Sequence, residues 1–132
     1  MTKTEATLAG ILRGHSAKEL AQLARSMTEA RVEAGTVLTR EGTPGAQAFL
    51  IVQGRATATV HGDVVGHVGP GEFVGEMAVL DRSRRSATVT ADTDMHLLVM
   101  APDEFAAVFE DRIVSMRVAQ GLARRLAAVE AR

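Results

Sequence analysis

The chain has 132 residues, 46% of them hydrophobic, which suits one domain with a real core. Its formal net charge is −1, so its bulk charge draws in neither nucleic acid nor an anionic membrane. Cysteine is absent, which excludes a disulfide scaffold and a thiolate metal site.

No apolar run approaches the roughly 18 residues that a membrane-spanning helix needs. The stretch Met1–Thr7 lacks the apolar core of a secretory signal. The chain is therefore expected in the cytoplasm, with no nucleic acid and no membrane among its partners.

Residues 1–15 read as a weak helical lead-in with Leu8, Ile11 and Leu12 on one side. Ser16 and Glu19 form a capping box, and Leu20, Leu23, Ala24 and Met27 recur behind it at helical spacing. A packing helix of about three turns is predicted there. From Arg31 the period becomes that of strands. Val32, Val37–Arg40, Phe49–Gln53, Ala56–Val60 and Val64–Val68 are short candidates, with Gly or Pro in each interval. His61-Gly62-Asp63-Val64 reads as a tight hairpin turn. Ala56, Ala58 and Val60 alternate with Thr57 and Thr59, which predicts one wet face. Ser86–Ala91 and Met95–Met100 complete a small antiparallel sandwich or jelly roll. Pro102 marks the return to helix, with Asp103 and Glu104 at its positive end and Phe105, Val108 and Phe109 on one face. A longer helix is predicted over 113–129, where Ile113, Met116, Leu122, Leu126 and Val129 form an apolar stripe.

The stretch Gly71–Val89 carries the chemistry. A short strand leads into Gly75 and Glu76, a brief helix is expected over Glu76–Leu80, and a polar loop holds Arg82, Arg84 and Arg85. Gly75 lets a ligand approach the backbone and tolerates positive φ. The amides of Glu76, Met77 and Ala78 are the unpaired donors of a helix start, which suits a phosphate. Arg85 offers a planar fork for two phosphate oxygens. Glu76 accepts only when ionised, so beside a phosphate it makes sense facing a sugar hydroxyl. One phosphate, one ribose and a base above them make a small nucleotide.

Phe73, Gly75, Glu76, Met77 and Ala78, followed by Arg85-Ser86-Ala87-Thr88-Val89, resemble the phosphate-binding cassette of cyclic-nucleotide-binding domains. The step from Glu76 to Arg85 is that of the protein kinase A regulatory subunits, whereas the bacterial catabolite activator has one residue more. Arg84 departs from the Pro frequent in kinase-type members. The resemblance extends more weakly from about Ser16 to about Ala128.

The resemblance implies an α+β fold: an antiparallel, jelly-roll-like β-roll of about eight strands, flanked by an N-terminal helix and two C-terminal helices. The whole of 1–132 is then one domain, with a helical part over 1–30, a β-roll over 31–101 containing the cassette 71–89, and helices over 102–132. It implies a 3′,5′-cyclic mononucleotide, held rather than hydrolysed, on Gly75, Glu76, Met77, Ala78, Arg85 and Ser86. Ser86 leaves the base open, with cAMP ahead of cGMP on general frequency. The family often caps the base from its last helix; no aromatic follows Phe109, so Arg124 and Arg125 are the candidate caps. Loop movement would pass through Leu80 to Phe105 and Phe109, and so to the C-terminal helices.

Competing sites are weak. His61, His67 and His96 lack the His-x-His of metal-binding β-rolls and read as surface or strand-edge residues. Asp81, Asp92 and Asp94 lack calcium-loop spacing, no nucleophile motif is present, and Gly69-Pro70-Gly71 lacks the third glycine of a dinucleotide loop. No enzyme, no metal and no cofactor beyond the nucleotide ligand is expected. If the register slips, Arg84 is the residue to replace Arg85. The expected roles are a nucleotide sensor acting on an effector protein, or a ligand-independent interaction or dimerisation module pairing through the C-terminal helix.

Overall fold

The computed structural model of the chain describes residues 2–12, 16–45, 47–75 and 84–109, without the side chains of Leu23, Ser26 and 106–109. The predicted helix over 113–129, the turn over Glu76–Leu80 and Arg82 lie outside the described residues.

Helix α1 spans Lys3–Ile11 and is capped by Thr2, whose hydroxyl accepts from the Glu5 amide. Helix α2 spans Ala17–Ser26, and both halves of the Ser16–Glu19 capping box are formed. The eight strands are β1 (Thr28–Val32), β2 (Val37–Thr39), β3 (Ala48–Gln53), β4 (Ala56–Val60), β5 (Asp63–Val68), β6 (Phe73–Val74), β7 (Thr88–Ala91) and β8 (Met95–Met100), followed by α3 (Pro102–Phe109). The antiparallel β-roll of eight strands with its flanking helices is therefore present.

Two four-stranded antiparallel sheets form, in the orders β1-β8-β3-β6 and β2-β7-β4-β5. Strand β8 explains how they are covered, because its neighbours along the chain point to opposite faces. Met95 and Leu97 join Ile51, Val74, Val89 and Ala91 in one cluster shared by both sheets. Leu98 and Met100 point the other way, into a cluster with Leu8, Ile11, Leu20, Phe73 and Phe105. The helices thus pack on the outer face of the first sheet. Ala56 and Ala58 are buried while Thr57 and Thr59 are not, the alternation expected of a half-wet strand.

Three details differ from the sequence expectation. Strand β1 starts at Thr28 rather than near Arg31, because Thr28 and Glu29 pair with Val99 and Leu98 of β8. Strand β7 starts at Thr88 rather than Ser86, because the Arg85 peptide groups are engaged by the β2–β3 connection. His96, expected at the surface, is buried with 6% exposure. It alternates in phase with Leu98 and Met100 along β8, and so is set on their face of the sheet. The His61-Gly62 turn is as expected: both residues have positive φ, and Val60 pairs with Asp63.

Glu29 ties α1 to this sheet. The Thr4 hydroxyl donates to its carboxylate at 2.7 Å, and His96 Nε2 lies 3.5 Å from the other oxygen. The Thr4 bond first, then the His96 charge, holds the Glu29 carboxyl below its ordinary pKa against the opposing effect of burial. A depressed carboxyl contributes stability above its unfolded pKa and loses it as pH falls through the folded value. Thr4→Val should raise the Glu29 pKa toward the ordinary value and remove that small acid-side loss, as read by NMR titration of the Glu29 carboxyl. Leu98 has no exposed surface; Leu98→Ala should cost roughly 2–5 kcal/mol in urea unfolding with an unchanged m-value.

Candidate functional site

Two segments converge where the sheets meet. The first follows β6. Strand β6 pairs with β3 through Phe73↔Leu50 and Val74↔Phe49, which brings the chain out at Gly75. Gly75 has φ +78°, a left-handed conformation that disfavours any residue with a Cβ. The turn before it is fixed by Glu72, whose carboxylate accepts from the Gly69 amide at 2.8 Å.

The second segment precedes β7. The Arg85 amide donates to Thr43 O at 2.8 Å, and the Gly42 amide donates to Arg85 O at 2.9 Å. Pro44 and Arg84 form a bridge beside them. Arg85 is thereby held by the β2–β3 connection on its backbone. Its side chain spans the gap between the segments: Nη1 donates to Gly75 O at 2.9 Å and Nη2 to Gln47 O at 2.7 Å. A Cβ on Gly75 would overlap Nη1 of Arg85, so any larger residue there would push the guanidinium aside, in addition to the strain of its φ.

The guanidinium is half-buried, and among the described residues no carboxylate pairs with it; its partners are two carbonyls. Burial lowers its pKa from the ordinary arginine value, the response of a cation taken out of water. It remains protonated at any physiological pH. An anion reaching this group would supply the charge that the carbonyl dipoles do not.

Gly75, Arg85 and Ser86 line one hollow, over an apolar floor that includes Ala58, Val68 and Val89. Its enclosed volume is about 40 Å³, well under the roughly 300–1,000 Å³ of common ligand sites. A larger cavity of about 440 Å³ lies against the first sheet, beside Arg31, Glu33, Asp94 and His96. Its charges are of both signs, so it does not favour an anion. Among the described residues no three His, Cys, Asp or Glu side chains gather as a metal site.

The structure thus brings together Gly75, Arg85 and Ser86. Glu76, Met77, Ala78, Arg124 and Arg125 lie outside the described residues. Arg84, the fallback for Arg85, is exposed, and its Nη1 donates to Gly42 O at 2.8 Å. Sequence reasoning missed Gln47, which acts through its backbone carbonyl and so leaves no mark in residue type.

The sequence profile described as "Cyclic nucleotide-binding domain" matches residues 29–112. A cyclic nucleotide-gated potassium channel of Rhizobium etli is 40% identical over 86 residues, which is 65% of this chain and 24% of the channel. Among solved structures, a cAMP-bound PfPKA-R is similar with a TM-score of 0.82 at 20% identity, covering 96% of this chain and 45% of that one. The regulatory subunit of a cAMP-independent protein kinase A from Trypanosoma brucei superposes with a TM-score of 0.77 at 19% identity, over 98% of this chain and 50% of that one. The chain spans about a quarter of the channel it matches.

Gly75→Ala should displace the Arg85 guanidinium from its two carbonyls and cost on the order of 1–3 kcal/mol in strain. Loss of the native Arg85 Nη signals in NMR, together with urea unfolding, checks both parts.

Proposed function

The chain belongs to the cyclic nucleotide-binding domain family, and on that premise we propose that it binds a 3′,5′-cyclic mononucleotide as a regulatory sensor, cAMP ahead of cGMP. The carrying observation is Arg85, a half-buried guanidinium beside a left-handed glycine, with only carbonyls for partners among the described residues. A cyclic phosphodiester is a compact monoanion that such a fork neutralises through two oxygens. The proposed cradle adds the Gly75 backbone, the amides of Glu76, Met77 and Ala78, and the Ser86 hydroxyl. Glu76 takes a ribose hydroxyl, and Arg124 or Arg125 covers the base. Nothing in this set breaks a bond, so the ligand is held and released.

Output is proposed to run through the C-terminal helices. Phe73, two residues before Gly75, packs edge-on against Phe105 of α3 with ring centroids 5.6 Å apart. Phe105 has no exposed surface, so a shift of the segment after β6 is felt directly by α3. The ligand shifts the population between two positions of those helices only as far as its affinities for the two differ. An effector protein, or a second copy pairing through the stripe over 113–129, receives the change. The proposed boundaries are one domain over 1–132, with its β-roll over 31–101. No helix among the described residues is long and apolar enough to cross a membrane, and the proposed place of action is the cytoplasm.

A second reading, a β-roll that serves only as an interaction module, is favoured by the small enclosed volume of about 40 Å³. Calorimetry with cAMP, cGMP and 5′-AMP separates the two. Micromolar or tighter binding of a cyclic nucleotide is expected, and Arg85→Ala should weaken it by roughly 30-fold to a few thousand-fold. A dissociation constant unchanged by Arg85→Ala, or no heat with either cyclic nucleotide, would leave the interaction module standing.

A further inference from the structure

We infer that Glu41 is a positioning residue for Arg85, fastening the β2–β3 connection to β7 and to the tip of the β4–β5 hairpin so that the guanidinium is held in register over Gly75. As a statement about nucleotide affinity this rests on the sensor reading above; as a statement about where Arg85 is held it does not.

Glu41 is unusual for a partly exposed loop carboxylate in how completely it is used. Its two oxygens accept from the His61 amide at 3.2 and 3.1 Å. The Thr88 hydroxyl donates to Glu41 Oε1 at 3.1 Å and accepts from the Glu41 amide at 3.1 Å, a reciprocal pair. His61 is the one described non-glycine residue with positive φ, at +51°. Its amide points toward the loop only because the hairpin tip adopts that left-handed turn. One side chain therefore joins three segments that are distant along the chain.

The consequence for Arg85 follows from what comes next. Gly42 and Thr43, adjacent to Glu41, make the two backbone bonds to Arg85. Gln47 O, at the far end of the same connection, accepts from Nη2. Thr88 lies three residues beyond Arg85 and opens β7. Releasing Glu41 thus loosens the loop that supplies both backbone anchors and one of the two guanidinium acceptors, leaving it to the Pro44–Arg84 bridge and the Arg84 bond to Gly42 O. Because these bonds accept on a carboxylate, removing the side chain removes charge-assisted contacts to two segments at once. A competing role, merely capping the strained hairpin tip, predicts a different pattern of loss.

Amide hydrogen exchange of the full chain without nucleotide decides between them. In Glu41→Ala, protection at the Gly42 and Arg85 amides should fall by at least about tenfold while β3 and β8 amides keep theirs. Thr88→Val, which keeps the β-branched shape and removes the hydroxyl, should produce the same local loss. Glu41→Gln, which retains an acceptor for the His61 amide, should fall between. Loss confined to 61–63, or a uniform fall at all amides, overturns the inference. In calorimetry with cAMP, Glu41→Ala should weaken binding by about tenfold, with partial recovery in Glu41→Gln. Wild-type affinity in Glu41→Ala overturns it as well. A wild-type chain that binds no cyclic nucleotide, with the exchange pattern intact, overturns the sensor reading and leaves the Glu41 attachment standing.

Discussion

Everything at this site depends on a guanidinium held between two backbone carbonyls. Arg85 reaches Gly75 O on one side and Gln47 O on the other, and no carboxylate among the described residues neutralises it. Carbonyl dipoles orient a cation without cancelling its charge. Among the described residues the group is therefore held by dipoles alone, with no opposite charge beside it.

That arrangement needs a stiff support, which the two sheets provide by sharing residues. Strand β8 sends Met95 and Leu97 into the space between the sheets and Leu98 and Met100 under the helices. Neither core can relax without the other, because close-packed interiors transmit a displacement rather than absorb it. Phe73 lies in the helix-covered cluster while Val74, next to it, lies in the inter-sheet cluster. The segment that delivers Gly75 is thus anchored in both. The Phe73–Phe105 contact extends the same anchoring to α3. Geometry around Gly75 and packing of α3 are in this way one mechanical unit.

The neighbours in structure space share the fold of this chain while differing in what their names say of cAMP. A cAMP-bound PfPKA-R and a subunit of a cAMP-independent kinase superpose on this chain about equally well, with TM-scores of 0.82 and 0.77. Backbone similarity at this level does not distinguish them. What the chain shares with both is the fold, and a fold alone does not fix a ligand.

Much of this was legible in residue order. Local rules set the capping box at Ser16, the left-handed turn at His61-Gly62, the period-two burial of β4 and the return to helix at Pro102, since each depends on neighbours within about four residues. The same order singled out Gly75 and Arg85, because an unusual backbone and a bidentate cation are properties of residue type. Three things were decided only by tertiary structure. His96 is buried because β8 is central and its helix-covered face is set by register across strands. Strand β7 begins late because Gly42 and Thr43, more than forty positions earlier, engage the Arg85 peptide groups. Gln47 serves through a carbonyl that every residue possesses. Long-range pairing and backbone chemistry leave no trace in local sequence pattern, so these features had to await the folded chain.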